Sequence, residues 1–254
     1  MPIPEGSFVW HDLATTDIPG AKSFYQAVLR WTTKPWEDAQ VYTMWMNGDT
    51  PIGGLAPMSE KRVAAGESPH WLPFVYVYDV DACTRQAVKL GGSIRKPPKE
   101  FPNAGSWSVI RDPAGAMIGL FEPTQSPLGH TGAARRGEFS WHELRTTDYK
   151  VTFDFYSKLF RWEKMDEHDM GEMGVYLIFG HKGQTYGGMF NRTSDMPAPD
   201  WLSYVRVDNA TAAAESVKQA GGTVLRGPHE VPGGDMIAMC ADPAGAMFAV
   251  HTPK

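Results

Sequence analysis

Thiols are scarce: Cys83 and Cys240 are the two cysteines in 254 residues, too few and too isolated for a disulfide framework or a thiolate metal site. No apolar run approaches the roughly 18–20 residues of a membrane-spanning helix. The opening MPIPEGSFVW has neither a basic start nor an apolar stretch, so no secretory signal is expected and a reducing cytoplasm is the expected location. Concentrated positive charge is missing too, since 24 Lys and Arg stand against 29 Asp and Glu for a net charge of −5. Without a basic patch the phosphate term has nothing to pair with, so neither nucleic acid nor an anionic membrane is the expected partner. There is no Walker loop, no Gly-x-Gly-x-x-Gly, and no Ser or Cys elbow. What remains is a soluble globular composition, 42% hydrophobic and 21% charged, and a small molecule is the expected partner.

The chain says most of what it says twice. FVWHDLATTD at 8–17 returns as FSWHELRTTD at 139–148, an offset of 131, and Phe24-Tyr25 and Arg30-Trp31 return as Phe155-Tyr156 and Arg161-Trp162 at that offset. Further on, WLPFVYV (71–77), LGGSI (90–94) and RDPAGAMI (111–118) return as WLSYVRV, AGGTV and ADPAGAMF at an offset of 130. A tandem duplication follows. Within each copy, residues 8–15 alternate as a strand does, Asp17 and Pro19 open a helix with Ile18, Ala21, Tyr25, Val28 and Leu29 on one stripe, and strand-like runs follow at 40–46 and 51–58. The order then restarts: strand 72–79, helix 80–90 closed by Gly91-Gly92, and strands 106–111 and 117–123 around the turn DPAG.

A strand, then D…FY…L..W, then a strand–helix ending in Gly-Gly, then DP.G before a last strand, resembles the vicinal oxygen chelate superfamily. That superfamily includes glyoxalase I, extradiol dioxygenases, fosfomycin-resistance proteins and bleomycin-binding proteins. The doubled form resembles its tandem, two-domain glyoxalase-like branch. The resemblance covers nearly the whole chain. It implies an α+β fold of tandem βαβββ modules, four in all, forming two glyoxalase-like domains with curved, open mixed sheets around a cavity. The expected domains are 1–125 and 136–254, joined by the linker TQSPLGHTGAARR at 124–136. Fused domains of this kind imply a monomer with pseudo-dimeric domains, or a homodimer.

Metal-binding members of that superfamily carry His, Glu or Gln ligands at four strand positions. Carried onto this chain, the positions are Trp10, Gly54, Leu72 and Gly119, and then Trp141, Gly188, Leu202 and Ala249. None ligates through its side chain, so no cofactor, and no divalent metal, is expected. His11 and His142 stand one residue out of register, which in a strand turns a side chain to the opposite face. They are either shifted into a metal site by a bulge or held beneath a helix. His70 and His251 share the inward parity but lie beyond the ligand positions, with Asp200 and Phe121 opposite them in the other copy.

Asp12 and Glu143 share parity with Trp10 and Trp141 and are the candidate acid–base groups. Arg145 and Arg206 are ready salt-bridge partners in the second copy, where the first has Ala14 and Tyr76. Inward parity makes Trp10, Phe74, Tyr76, Phe121, Trp141, Arg145, Tyr204 and Arg206 the candidate ligand-binding residues. The acidic run EKMDEHDMGE (163–172) reads as a solvated loop, and VPGGDM (231–236) as a turn or mobile loop at the cavity mouth. Two functions follow. One is a binding protein that holds a small, planar or hydrophobic molecule in a concave cavity without a catalytic metal. The other is an enzyme of the superfamily, lyase-, dioxygenase- or hydroxylase-like, using Asp12 or Glu143 or a non-standard metal site.

Overall fold

The structure, a computed structural model, describes residues 3–36, 42–125, 132–196 and 198–254. The first half runs β1 (Phe8–Thr15), α1 (Ile18–Leu29), β2 (Thr32–Pro35), β3 (Thr43–Asn47), β4 (Thr50–Pro57) and a short α2 (Glu60–Ala64). It continues β5 (His70–Tyr76), α3 (Val80–Lys89), β6 (Ser93–Phe101), β7 (Gly105–Arg111) and β8 (Met117–Pro123). The second half repeats this with β9 (Phe139–Thr146), α4 (Tyr149–Phe160), β10 (Glu163–Asp169), β11 (Val175–His181) and β12 (Gln184–Asn191). It closes with β13 (Asp200–Arg206), α5 (Ala210–Gln219), β14 (Thr223–Glu230), β15 (Met236–Ala241) and β16 (Met247–Thr252). No helix among the described residues is long and apolar enough to cross a membrane.

Each long helix starts where a side chain can take an orphan backbone N–H. Asp17, Asp79, Asp148 and Asn209 each accept from an amide in the first turn. After α3 and α5 the chain turns on Gly91 and Gly221, whose φ angles of 95° and 85° suit glycine.

The strands hydrogen-bond in two eight-stranded sheets, β2-β3-β4-β1-β5-β8-β7-β6 and β10-β11-β12-β9-β13-β16-β15-β14, so the α+β fold of four βαβββ modules stands. In both, the first and fifth strands of a half are flanked by parallel partners: β1 pairs β4, β5 pairs β8, β9 pairs β12 and β13 pairs β16. The register sets Asp12 beside Gly54, Phe74 beside Gly119, Glu143 beside Gly188, Tyr204 beside Ala249 and Arg206 beside His251.

The sequence located twelve of these strands and missed β2, β6, β10 and β14. Those four are the outermost strands of the two sheets and are largely solvent-exposed, so they lack the alternation that marks a half-buried strand. The acidic run at 163–172 is corrected accordingly. Residues 163–169 form β10, antiparallel to β11, and residues 171–173 a 3₁₀ turn. Charged side chains on both faces of such an edge discourage pairing with another chain. Residues 40 and 41 of the expected strand at 40–46, and 126–131 of the expected linker, lie outside the described residues.

Two compact units draw one module from each half of the sequence: Met1–Val9 with Leu72–Gly132 and Trp141–Trp201, and Trp10–Trp71 with Ala133–Ser140 and Leu202–Lys254. The first unit's core joins Val75, Ile110, Ile118 and Leu120 to Leu144, Phe155, Tyr156, Trp162 and Phe179, with α3 against α4. The second unit's joins Leu13, Phe24, Tyr25, Trp31, Trp45 and Leu55 to Val205, Val217, Phe248 and Val250, with α1 against α5.

The repeated motifs meet inside these cores. Tyr25 of the FY pair takes a hydrogen bond from Trp71 Nε1 at 2.8 Å and donates to Asp242 Oδ2 at 3.2 Å. The other oxygen of Asp242 accepts from the amides of Ala244 and Ala246, shaping the DPAG turn. Tyr156, Trp201 and Asp112 repeat the arrangement in the other unit. Trp31 and Trp162, from the two RW pairs, donate Nε1 to the carbonyls of Gly137 and Gly6, both at 2.8 Å. These tyrosines and tryptophans, buried rings whose polar tips find partners, fix helix, strand and turn together.

Candidate functional site

The strand that opens each half presents a tryptophan and a carboxylate two residues apart, hence on one face. In the first half, Trp10 Nε1 donates to Asp12 Oδ1 at 2.9 Å and to the Tyr42 hydroxyl at 2.8 Å, and that hydroxyl donates to Asp12 Oδ1 at 2.6 Å. Beside Asp12 lies Gly54. A Cβ there would run into the Tyr42 hydroxyl and the Asp12 carboxylate. Glycine is thus required by the close approach of a side chain to the strand.

The second half rebuilds the cluster with a longer acid. Trp141 Nε1 donates to the Tyr176 hydroxyl at 2.9 Å, and that hydroxyl donates to Glu143 Oε2 at 3.2 Å. A Cβ on Gly188, beside Glu143, would run into the Tyr176 ring. Burial, and then the neighbouring carboxylate, push the Tyr42 and Tyr176 hydroxyls well above the usual tyrosine range. Both therefore stay protonated and serve as donors.

Asp12, Glu143, Trp10 and Trp141 are thereby brought together pairwise as the sequence pattern suggests, with a tyrosine that the pattern did not reveal. Tyr42 stands two residues before Met44, the partner of Gly54, and Tyr176 two residues before Ile178, the partner of Gly188. Their offset is 134 rather than 131, so matching the copies at a fixed spacing passes over them.

Buried Arg145 closes on Asp200 in a two-pronged ion pair, Nε to Oδ1 at 2.8 Å and Nη2 to Oδ2. Arg206 Nη1 donates to the Ala134 carbonyl at 2.6 Å. Phe74 is buried over Gly119, whose added Cβ would run into its ring. Tyr204 is buried, whereas Phe121 and Tyr76 are half-buried, the latter packed edge-on against Tyr78.

The out-of-register histidines are buried and stacked. His11 lies on Phe139 and His142 on Phe8, each with ring centroids 3.6 Å apart. His142 Nδ1 meets the Tyr186 carbonyl at 3.2 Å, and burial drives its pKa down to about 3. Among the described residues no group of three or more His, Cys, Asp or Glu is arranged to hold a metal ion.

The sequence model described as "Glyoxalase/Bleomycin resistance protein/Dioxygenase superfamily" matches residues 7–120 and 129–250. A Mycobacterium tuberculosis protein named "Putative glyoxylase CFP32" is 30% identical over 259 residues, covering 98% of this chain and 95% of that protein. The "Anthracycline biosynthesis protein DnrV" of Streptomyces peucetius is 34% identical over 138 residues, 51% of this chain and 46% of that one. Among solved structures, the Mn(II)-bound glyoxalase of Novosphingobium aromaticivorans superposes with a TM-score of 0.69 at 12% identity, covering 98% of this chain and 83% of that one. The 2,3-dioxygenase LapB of Pseudomonas sp. KL28 gives 0.68 at 11% identity, covering 99% and 92%.

These structures correct the expectation that no cofactor belongs here: a protein of this fold is Mn(II)-bound, so a divalent metal is the cofactor the fold implies. The side chains at the four expected ligand positions of each half nevertheless do not fit an ion. Tyr42 and Tyr176 cover the glycines at the second position, and the Phe74 ring covers Gly119 at the fourth. With both halves matched by one family model and a relative aligned along almost its full length, the chain belongs to the glyoxalase/bleomycin resistance protein/dioxygenase superfamily.

Proposed function

We propose that this chain binds a small, planar or hydrophobic molecule at its two tryptophan–carboxylate–tyrosine clusters. The tryptophan supplies a flat apolar face and the carboxylate a hydrogen-bond anchor for hydroxyl or amine groups on the ligand. The observation that carries this reading is the recurrence of the cluster: two halves build it around a glycine with different acids, Asp12 and Glu143, and from tyrosines at a shifted spacing. A carboxylate fixed by aromatic N–H and O–H donors is ordered before the ligand arrives, which lowers the entropic cost of binding. The half-chain similarity to a protein named for anthracycline biosynthesis supports a planar ligand. Thermal unfolding against a panel of hydroxylated polycyclic compounds tests the reading. Stabilisation of the wild type that disappears in Trp141→Ala and Trp10→Ala supports it, and a panel without effect on the wild type contradicts it.

The likeness along 98% of the chain to a protein named as a glyoxylase favours a second reading, an enzyme in which Glu143 or Asp12 moves a proton on the bound molecule. On that reading Glu143→Gln removes turnover while leaving ligand affinity within about threefold.

A further inference from the structure

We infer that Ser140 is an activated nucleophile, completed by His251 and Asp235 into a serine–histidine–aspartate site for acyl transfer from a small ester. The three side chains lie in one compact unit but come from separate segments: the start of β9, the last strand β16, and the turn between β14 and β15. Ser140 Oγ lies 3.0 Å from His251 Nδ1, and His251 Nε2 lies 2.8 Å from Asp235 Oδ2. All three are half-buried, reachable from solvent yet held in place.

The hydrogen-bond chemistry fixes the direction of this relay. Asp235 is ionised: partial burial pushes its carboxyl up, but the bonds from His251 and the Lys254 amide outweigh that and hold it below the usual range. An ionised carboxylate only accepts, so Nε2 is the His251 ring nitrogen that carries the proton. Nδ1 is then bare and accepts from the Ser140 hydroxyl, which is the arrangement of nucleophile, base and orienting acid that activates a serine. The Tyr204 carbonyl, at 3.3 Å, is the longer alternative acceptor for that hydroxyl. Arg206 is the register partner of His251 on the adjacent parallel strand, so it brings positive charge to that face of the sheet.

The duplication supplies an internal control. At the corresponding places the first half has Val9, Gly105, Phe121 and Tyr76 where the second has Ser140, Asp235, His251 and Arg206. The same strands form without any of the four polar groups, so the fold does not demand them. Fixed motifs miss the site because the serine sits in a strand rather than an elbow and its partners lie about 95 and 111 residues away.

In the step proposed, Ser140 Oγ bonds to the acyl carbon and its proton passes to His251 Nδ1. The bond from the acyl carbon to the leaving oxygen breaks, and that oxygen takes the proton from His251. Water then attacks the acyl-serine by the same proton route, releasing the acid and restoring Ser140.

The test is reaction of the full-length protein with a fluorophosphonate, read by intact mass and peptide mapping. The expected result is one adduct per chain, on Ser140, with labelling slowed at least tenfold in His251→Gln and Asp235→Asn. Because the mapped wild-type adduct needs no variant, poor folding of a substituted protein does not blur the outcome. Natively melting wild type that stays unlabelled, or labels elsewhere, overturns the proposal.

Discussion

Single residues carry two consequences that can be measured. His142 holds its folded-state pKa near 3 because it is buried against Phe8, while its ordinary value is 6.5. The unfolded chain therefore takes up a proton as pH falls through about 6.5 and the folded chain does not until about 3. The stability this group provides is complete above 6.5 and is lost as pH falls toward 3, with a slope of at most ~1.4 kcal/mol per pH unit. Urea unfolding of His142→Gln at pH 7 and pH 5 is expected to show a smaller difference than the wild type. The glycine under Tyr176 gives the other consequence. Gly188→Ala is expected to cost about 1–3 kcal/mol by displacing the ring, and much less when Tyr176 is already alanine, a coupling that a double-mutant cycle reads directly. The acids and tryptophans of these clusters were legible as a period-2 pattern repeated at one offset. The tyrosines were not, because a shift of three residues between the copies breaks that offset while the sheet register keeps them equivalent.

Among the elements, legibility followed burial. Strands that run into the core, such as β1 and β9, could be placed almost to the residue; the outer strands β2, β6, β10 and β14, largely solvated, could not. The repeated motifs FY, W and DPAG looked like separate signatures in the sequence. In the fold they are one buried hydrogen-bond network per unit, Tyr25 with Trp71 and Asp242, and Tyr156 with Trp201 and Asp112. Burial first, and then the nearby aspartate, push both tyrosine hydroxyls well above the usual range, so they remain donors. Tyr25→Phe leaves Asp242 and the Trp71 N–H short of a partner and is expected to cost about 1–3 kcal/mol in denaturant unfolding. The same substitution at Tyr156 is expected to cost a similar amount.

For the molecule as a whole, duplication preserved the framework and let the two halves diverge. Both keep a tryptophan, a carboxylate and a tyrosine around a glycine, whereas the Arg145–Asp200 pair has Ala14 and His70 at its counterpart positions, and the Ser140 relay also belongs to the second half. The family and the sheet architecture were legible from the resemblance. It could not give the exchange of modules between cores, because contacts between distant segments leave no local pattern. Whether the two carboxylate clusters hold a ligand is tested most directly by a tryptophan-fluorescence titration with a hydroxyanthraquinone, comparing the wild type with the double variant Asp12→Asn/Glu143→Gln. Saturable quenching in the wild type, weakened at least tenfold in the folded double variant, is the expected result. Linear quenching, or saturation at the same concentration in both proteins, would contradict it.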